Sequence, residues 1–147
     1  MQEIKWILLS IIALECEKRF WLTLNNDSYI LQMRSREEII MLGNIVKVIV
    51  DRPLGTYHPI HKDIYYSVNY GYIQGIIAPD GEEQDAYILG VNEPVEEFVG
   101  RVIALIHRFD DVEEKWVVAP EGVPFTKDEI MKQVEFQEQY FHVEIIM

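Results

Sequence analysis

The sequence predicts an α+β domain, mainly β: a small, mostly antiparallel barrel followed by a C-terminal helix, with an atypical segment in front. Short β-branched runs recur along the chain, each bounded by Gly, Pro, Asn or Asp, at a spacing that suits a small barrel. After Thr126 the apolar period changes to that of a helix, behind a capping box. The 147 residues are 49% hydrophobic, which allows one domain with a real core and disfavours disorder.

The first strand expected is "NIVKVIVD" (44–51), rich in Val and Ile. "RPLGTYHP" (52–59) carries Pro53, Gly55 and Pro59 and reads as turn and loop. Further strands are expected at "DAYILGV" (85–91), "GRVIALIHR" (100–108) and "KWVVAP" (115–120). Tyr65, Tyr66, Tyr70 and Tyr72 fit a barrel wall, two facing in and two out by alternation. Trp116 follows Lys115 and takes the opposite face, toward the core. The helix is expected over "KDEIMKQVEFQEQYF" (127–141). Thr126 and Glu129 form its capping box, Phe125 and Ile130 hold the staple positions, and Ile130, Val134 and Phe141 share a face.

A seam falls near residue 41. Residues 1–40 have a net charge of −1, and residues 41–147 one of −11. The first part is an N-terminal extension, with an apolar run "WILLSIIAL" (6–14) that suits a short helix and is too short to span a bilayer. Glu15 and Glu17 follow that run with no small-residue cleavage site, so a signal peptide is not expected. A second reading is that synthesis naturally starts at Met41: codons for Arg36-Glu37-Glu38 can spell a purine-rich ribosome-binding site, making 1–40 an over-extended reading frame.

The net charge of −12 disfavours nucleic acid and anionic membrane as partners. Cys16 is the only cysteine, which fits a reducing compartment, the cytoplasm. Acidic residues crowd two turns. Asp80, Glu82, Glu83 and Asp85 fall within six residues around Gly81, and Asp110, Asp111, Glu113 and Glu114 lie between two expected strands. Like charges this close are tolerated only by water or by cations between them. From the residues alone both readings stand: solvated acidic turns, or oxygen ligands for hard cations such as Mg²⁺. An EF-hand is excluded, because Gly81 comes second in its run and not sixth.

"YSVNYGYI" (66–73), "DGEEQD" (80–85) and "DDVEEKWVVAP" (110–120), taken together, resemble the soluble family I inorganic pyrophosphatases across roughly residues 44–142. The resemblance implies a five-stranded oligonucleotide-binding-like barrel and Mg²⁺-dependent hydrolysis of pyrophosphate by metal-activated water. Several Mg²⁺ ions would serve, with Mn²⁺ as a substitute, in a cytoplasmic homo-oligomer. It also implies roles. Asp80, Asp85, Asp110, Glu113 and, at the first strand's end, Asp51 would be metal ligands. Glu82 would be the general base, Lys115 and Tyr140 would hold phosphate, and Tyr70 would hydrogen-bond it.

The chain also departs from that pattern. Glu82 stands where the family has a middle aspartate, Gln84 where it has an apolar residue, and Phe141 where it has a lysine, with His142 next. The hairpin before "NYGY" is shortened, leaving Arg52, His58, His61 and Lys62 as its basic candidates. Of these, Arg52 and His58 are taken as substrate contacts. Arg101 and Arg108 read as surface or subunit contacts, and His107 as structural. Two rivals to pyrophosphate hydrolysis follow: hydrolysis of another small phosphoanhydride, and a non-catalytic metal- or phosphate-binding member.

Overall fold

The structure is a computed structural model and describes residues 41–147. The N-terminal extension, its expected apolar helix and the reading of 1–40 as an upstream frame lie outside the described residues.

Among the described residues six strands and one helix follow in order: β1 Ile45–Arg52, β2 Asn69–Ile77, β3 Glu83–Ile88, β4 Glu97–Arg108, β5 Glu114–Ala119, α1 Lys127–Glu138 and β6 Val143–Ile146. The sheet runs β1-β2-β3-β5-β4, and a β1–β4 pairing closes it into a five-stranded, oligonucleotide-binding-like barrel. All pairings are antiparallel except β3 with β5. The sixth strand was not expected. Leu105 pairs with Trp116 on one side and Ile146 on the other, while Arg101 pairs with Ala119 and Ile45. β6 therefore lies on the same edge of β4 as β1, beyond the point where β1 leaves it.

Two apolar clusters divide the strands by face. Val48, Ile73, Ala86, Ile88, Val102, Leu105, Trp116 and Val118 come from all five barrel strands and fill the barrel. The other cluster joins Tyr70, Tyr87, Ala104, Ile106 and Val117 on the wall to Ile130 and Val134 of the helix and Tyr66 of the loop. A β-bulge between Val102 and Ala104 makes the switch in β4. Val102 and Leu105 both face inward although three apart, so Ala104, Ile106 and Arg108 all face the helix side.

The helix is set as the sequence predicts. Thr126 Oγ1 accepts from the Glu129 N–H at 3.2 Å, and Glu129 Oε2 accepts from the Thr126 N–H at 2.7 Å. It ends at Glu138, so Tyr140 and Phe141 lie past it in a turn. Gly71 on β2 is required by contact: a Cβ there would sit 1.9 Å from the Ile49 carbonyl oxygen on β1. Among the described residues no helix is long and apolar enough to cross a membrane.

Candidate active site

Strand register builds the site on the outer wall of the barrel, beneath the helix. Tyr70 lies opposite Tyr87, and Ala86 pairs with Trp116 in the parallel β3–β5 ladder. That register sets Asp85 beside Lys115, with Arg108 entering from β4. Arg108, Lys115 and Glu138 are 2%, 2% and 0% exposed, so three charges are out of water and must satisfy one another.

They do so through shared carboxylates. The Lys115 ammonium donates to Asp85 Oδ2 and lies 2.6 Å from Glu113 Oε2. Arg108 Nη1 donates to the same Glu113 oxygen at 3.0 Å, and its Nε and Nη2 reach the two Glu138 oxygens at 2.9 and 2.8 Å. The Tyr87 hydroxyl donates to Glu138 Oε1 at 2.5 Å. The Phe141 ring covers the guanidinium, its centroid 3.7 Å from Arg108 Cζ. Burial alone would lower the Arg108 pKa. The hydrogen bonds and charge of Glu138, with Tyr87 and Glu113, outweigh it and raise the value above the ordinary one. Tyr70 is pushed well above its ordinary value by burial, then by the charge of Asp85 and a hydrogen bond to it. Tyr87 is pushed up by burial and then by Glu138.

Part of the first acidic run and part of the second thus meet, and the cations between them belong to the chain. Arg108, read from sequence as a surface or subunit contact, is as enclosed as Lys115. The bulge in β4 turned it toward the helix side, and no local pattern in "GRVIALIHR" announced that. Phe141, read as a lost positive charge, is the ring that caps it.

A second group of side chains lies near Tyr66. Tyr66 is buried, and its pKa is raised by burial first; Arg52, Asp51, Asp85 and Arg108 all act on it electrostatically. Its ring stacks on His58 with centroids 6.4 Å apart. Asp51, Arg52 and His58 therefore lie around the same tyrosine as the Lys115 cluster. Arg52 Nη1 bonds Asp51 at 2.6 Å, while its buried Nε has no hydrogen-bond partner among the described residues. His58 Nδ1 accepts from the Ile60 and His61 N–H groups at 3.1 and 2.9 Å. Burial and the neighbouring Arg52, His61 and Lys62 charges lower its pKa.

The remaining sequence candidates are held elsewhere. Asp80 is exposed and accepts from the Glu82 N–H at 3.0 Å, closing its own turn, with Glu82 exposed beside it. Asp110 is exposed, and both its oxygens take the His142 N–H, at 3.1 and 3.2 Å. Tyr140 is exposed past the helix end. Among the described residues no three acidic, His or Cys side chains converge as a metal site. These residues do not fit a preformed cage for several Mg²⁺ ions, because Asp85 and Glu113 are shared by Lys115 and Asp110 is turned to a backbone amide.

The barrel is similar to solved inorganic pyrophosphatases. An inorganic pyrophosphatase from Ehrlichia chaffeensis aligns over 70% of this chain and 85% of that one, at 18% identity and a TM-score of 0.55. One from Neisseria gonorrhoeae aligns over 67% and 74%, at 20% identity and a TM-score of 0.52. The chain has a pyrophosphatase-like fold. No protein-family model matches the chain, and no curated protein sequence does so significantly. At such identities the likeness concerns the fold, so the chemistry of this pyrophosphatase-like barrel has to be argued from its side chains.

Proposed function

We propose that the chain hydrolyses pyrophosphate, taken up as its magnesium complex, around Tyr66, where Asp51, Arg52 and His58 lie near the Lys115 cluster. One observation carries this reading: Lys115, Asp85, Glu113 and Tyr70 meet on the outer wall of a pyrophosphatase-like barrel. Bare pyrophosphate would be repelled by the carboxylates, whereas Mg²⁺ held by one or two carboxylates plus substrate phosphates is a common arrangement. Asp85 and Glu113, each about one-third exposed, are the two that would meet the incoming complex.

The chain's own residues then have separable tasks. Lys115 would neutralise non-bridging phosphate oxygens as charge builds on them. Arg52 Nε, a buried donor lacking a partner among the described residues, would take a phosphate oxygen as well. Water attacks one phosphorus, and the bridging P–O bond breaks. Its proton passes to Asp85 and from there to the departing phosphate. We further propose a cytoplasmic homo-oligomer, and Mn²⁺ as an acceptable substitute in the substrate complex.

A second reading, a non-catalytic phosphate-binding member, draws support from one observation: Asp80, Asp110 and Tyr140 are all engaged or exposed away from the cluster. Phosphate release from pyrophosphate with MgCl₂, measured for wild type and Asp85→Ala, separates the two. Release by wild type alone supports hydrolysis. Thermal stabilisation by pyrophosphate without release supports the binding member, and release only from tripolyphosphate moves the substrate to another phosphoanhydride.

A further inference from the structure

Two cations of the chain stand where a free divalent ion would have to sit. The Lys115 ammonium lies between Asp85 and Glu113, and Arg108 lies among Glu113, Glu138 and, at 3.6 Å, Asp111. Neither is a mobile surface group. Both are almost wholly buried, Arg108 is held by two bonds to Glu138 and capped by Phe141, and Lys115 is fixed on a central strand of the barrel.

We infer that this cluster does not take up a divalent cation by itself, because Lys115 holds the carboxylates a cation would need, and that metal enters only together with a phosphoanhydride. Like charges compete for the same two carboxylates. A bare ion reaching Asp85 and Glu113 would face a buried ammonium within a few ångströms, with nothing to receive the lysine. A complex that brings its own phosphate oxygens changes both conditions. Lys115 exchanges a carboxylate partner for a phosphate one, and Asp85 and Glu113 are released toward the ion. Uptake thereby becomes cooperative between cation and anion, each reducing the cost of binding the other. Arg108 keeps its Glu138 partner throughout and so holds the acidic turn in place while Lys115 changes partner.

The inference rests on the proposed hydrolysis only for the location of the site, and its test does not use turnover. Free Mn²⁺ is followed by electron paramagnetic resonance during titration of the protein with MnCl₂, alone and with methylenediphosphonate, which cannot be hydrolysed. Wild type should show no saturable site for Mn²⁺ alone, and one site once the diphosphonate is present. Lys115→Met should bind Mn²⁺ alone at least about tenfold more tightly than wild type, and adding Asp85→Asn should remove the gain. Lys115→Gln, with folding checked by circular dichroism, serves if Lys115→Met does not fold. Saturable binding of Mn²⁺ alone by wild type overturns the inference. So does a folded Lys115 variant with no gain, or a gain that survives Asp85→Asn. Failure of wild type to release phosphate from pyrophosphate would sink the hydrolysis reading and leave these titrations interpretable.

Discussion

Arg108 and Glu138 form a paired fork on opposite elements, β4 and the end of α1, with bonds of 2.9 and 2.8 Å and both side chains out of solvent. The pair ties the helix to the barrel wall at the point where the site's carboxylates are organised. Removing Arg108 would leave the buried Glu138 carboxylate with the Tyr87 hydroxyl but without its cation.

Arg108→Met should therefore destabilise the protein by about 3–5 kcal/mol, as breaking a buried ion pair typically does. Urea unfolding followed by tryptophan fluorescence measures this. A loss below about 1 kcal/mol, the scale of an exposed pair, would mean that Glu138 finds another partner.

Alkaline pH should weaken the fold through Tyr87 and Tyr70. Both have folded-state values raised well above the ordinary 10.0, so above that pH the unfolded chain loses protons that the folded chain keeps. Their contribution is complete below about pH 10 and is lost as pH rises from there toward the raised values. Unfolding midpoints of wild type should fall between pH 9 and 11, and those of Tyr87→Phe should fall less steeply. An equal slope in the variant would remove Tyr87 from the explanation.

Asp85 and Glu82 should separate kinetically. Asp85 touches Lys115 and Tyr70, whereas Glu82 is exposed on the preceding turn. Asp85→Asn should lower pyrophosphate turnover about 10²-fold or more, on the scale of a lost general base, and Glu82→Gln by less than about threefold on the same reasoning. A large loss in Glu82→Gln would return the base to the residue that the family resemblance names.

Gly71→Ala should not yield a stably folded barrel. The added Cβ would fall 1.9 Å from a backbone oxygen of the paired strand, so β1 and β2 would have to separate. Soluble expression and far-ultraviolet circular dichroism test it, and a native-like spectrum with unchanged melting would show that the strands can part cheaply.

Four of the five barrel strands were legible because Gly, Pro, Asn or Asp bound them; β2 was not among the strands expected, since "NYGYIQGII" carries tyrosines and glycines in place of a β-branched run. The helix start was legible because capping is a local code. β6 was not: "VEII" is short, alternates imperfectly and has no turn residue before it, so only its pairing with β4 defines it. Asp85, Glu113, Lys115 and Tyr70 were found through a family pattern and do lie together. Arg108 and Phe141 were misread because their roles depend on a bulge in β4 and on a helix that stops at Glu138, three residues earlier than its apolar pattern suggests. Asp110 was read as a ligand, and its exposed carboxylate accepts the His142 N–H, a partner 32 residues away that spacing alone does not reveal.

The distance in chain between Arg108 and Glu138 has a consequence for biosynthesis. During synthesis the guanidinium leaves the ribosome 30 residues ahead of the Glu138 carboxylate that takes two of its bonds. The nascent β-strands can associate before then, but Arg108 would be matched only by the nearby Glu113 and Asp111 until the helix arrives and docks. Proteases and chaperones would meet a nearly finished molecule that is still open on that side.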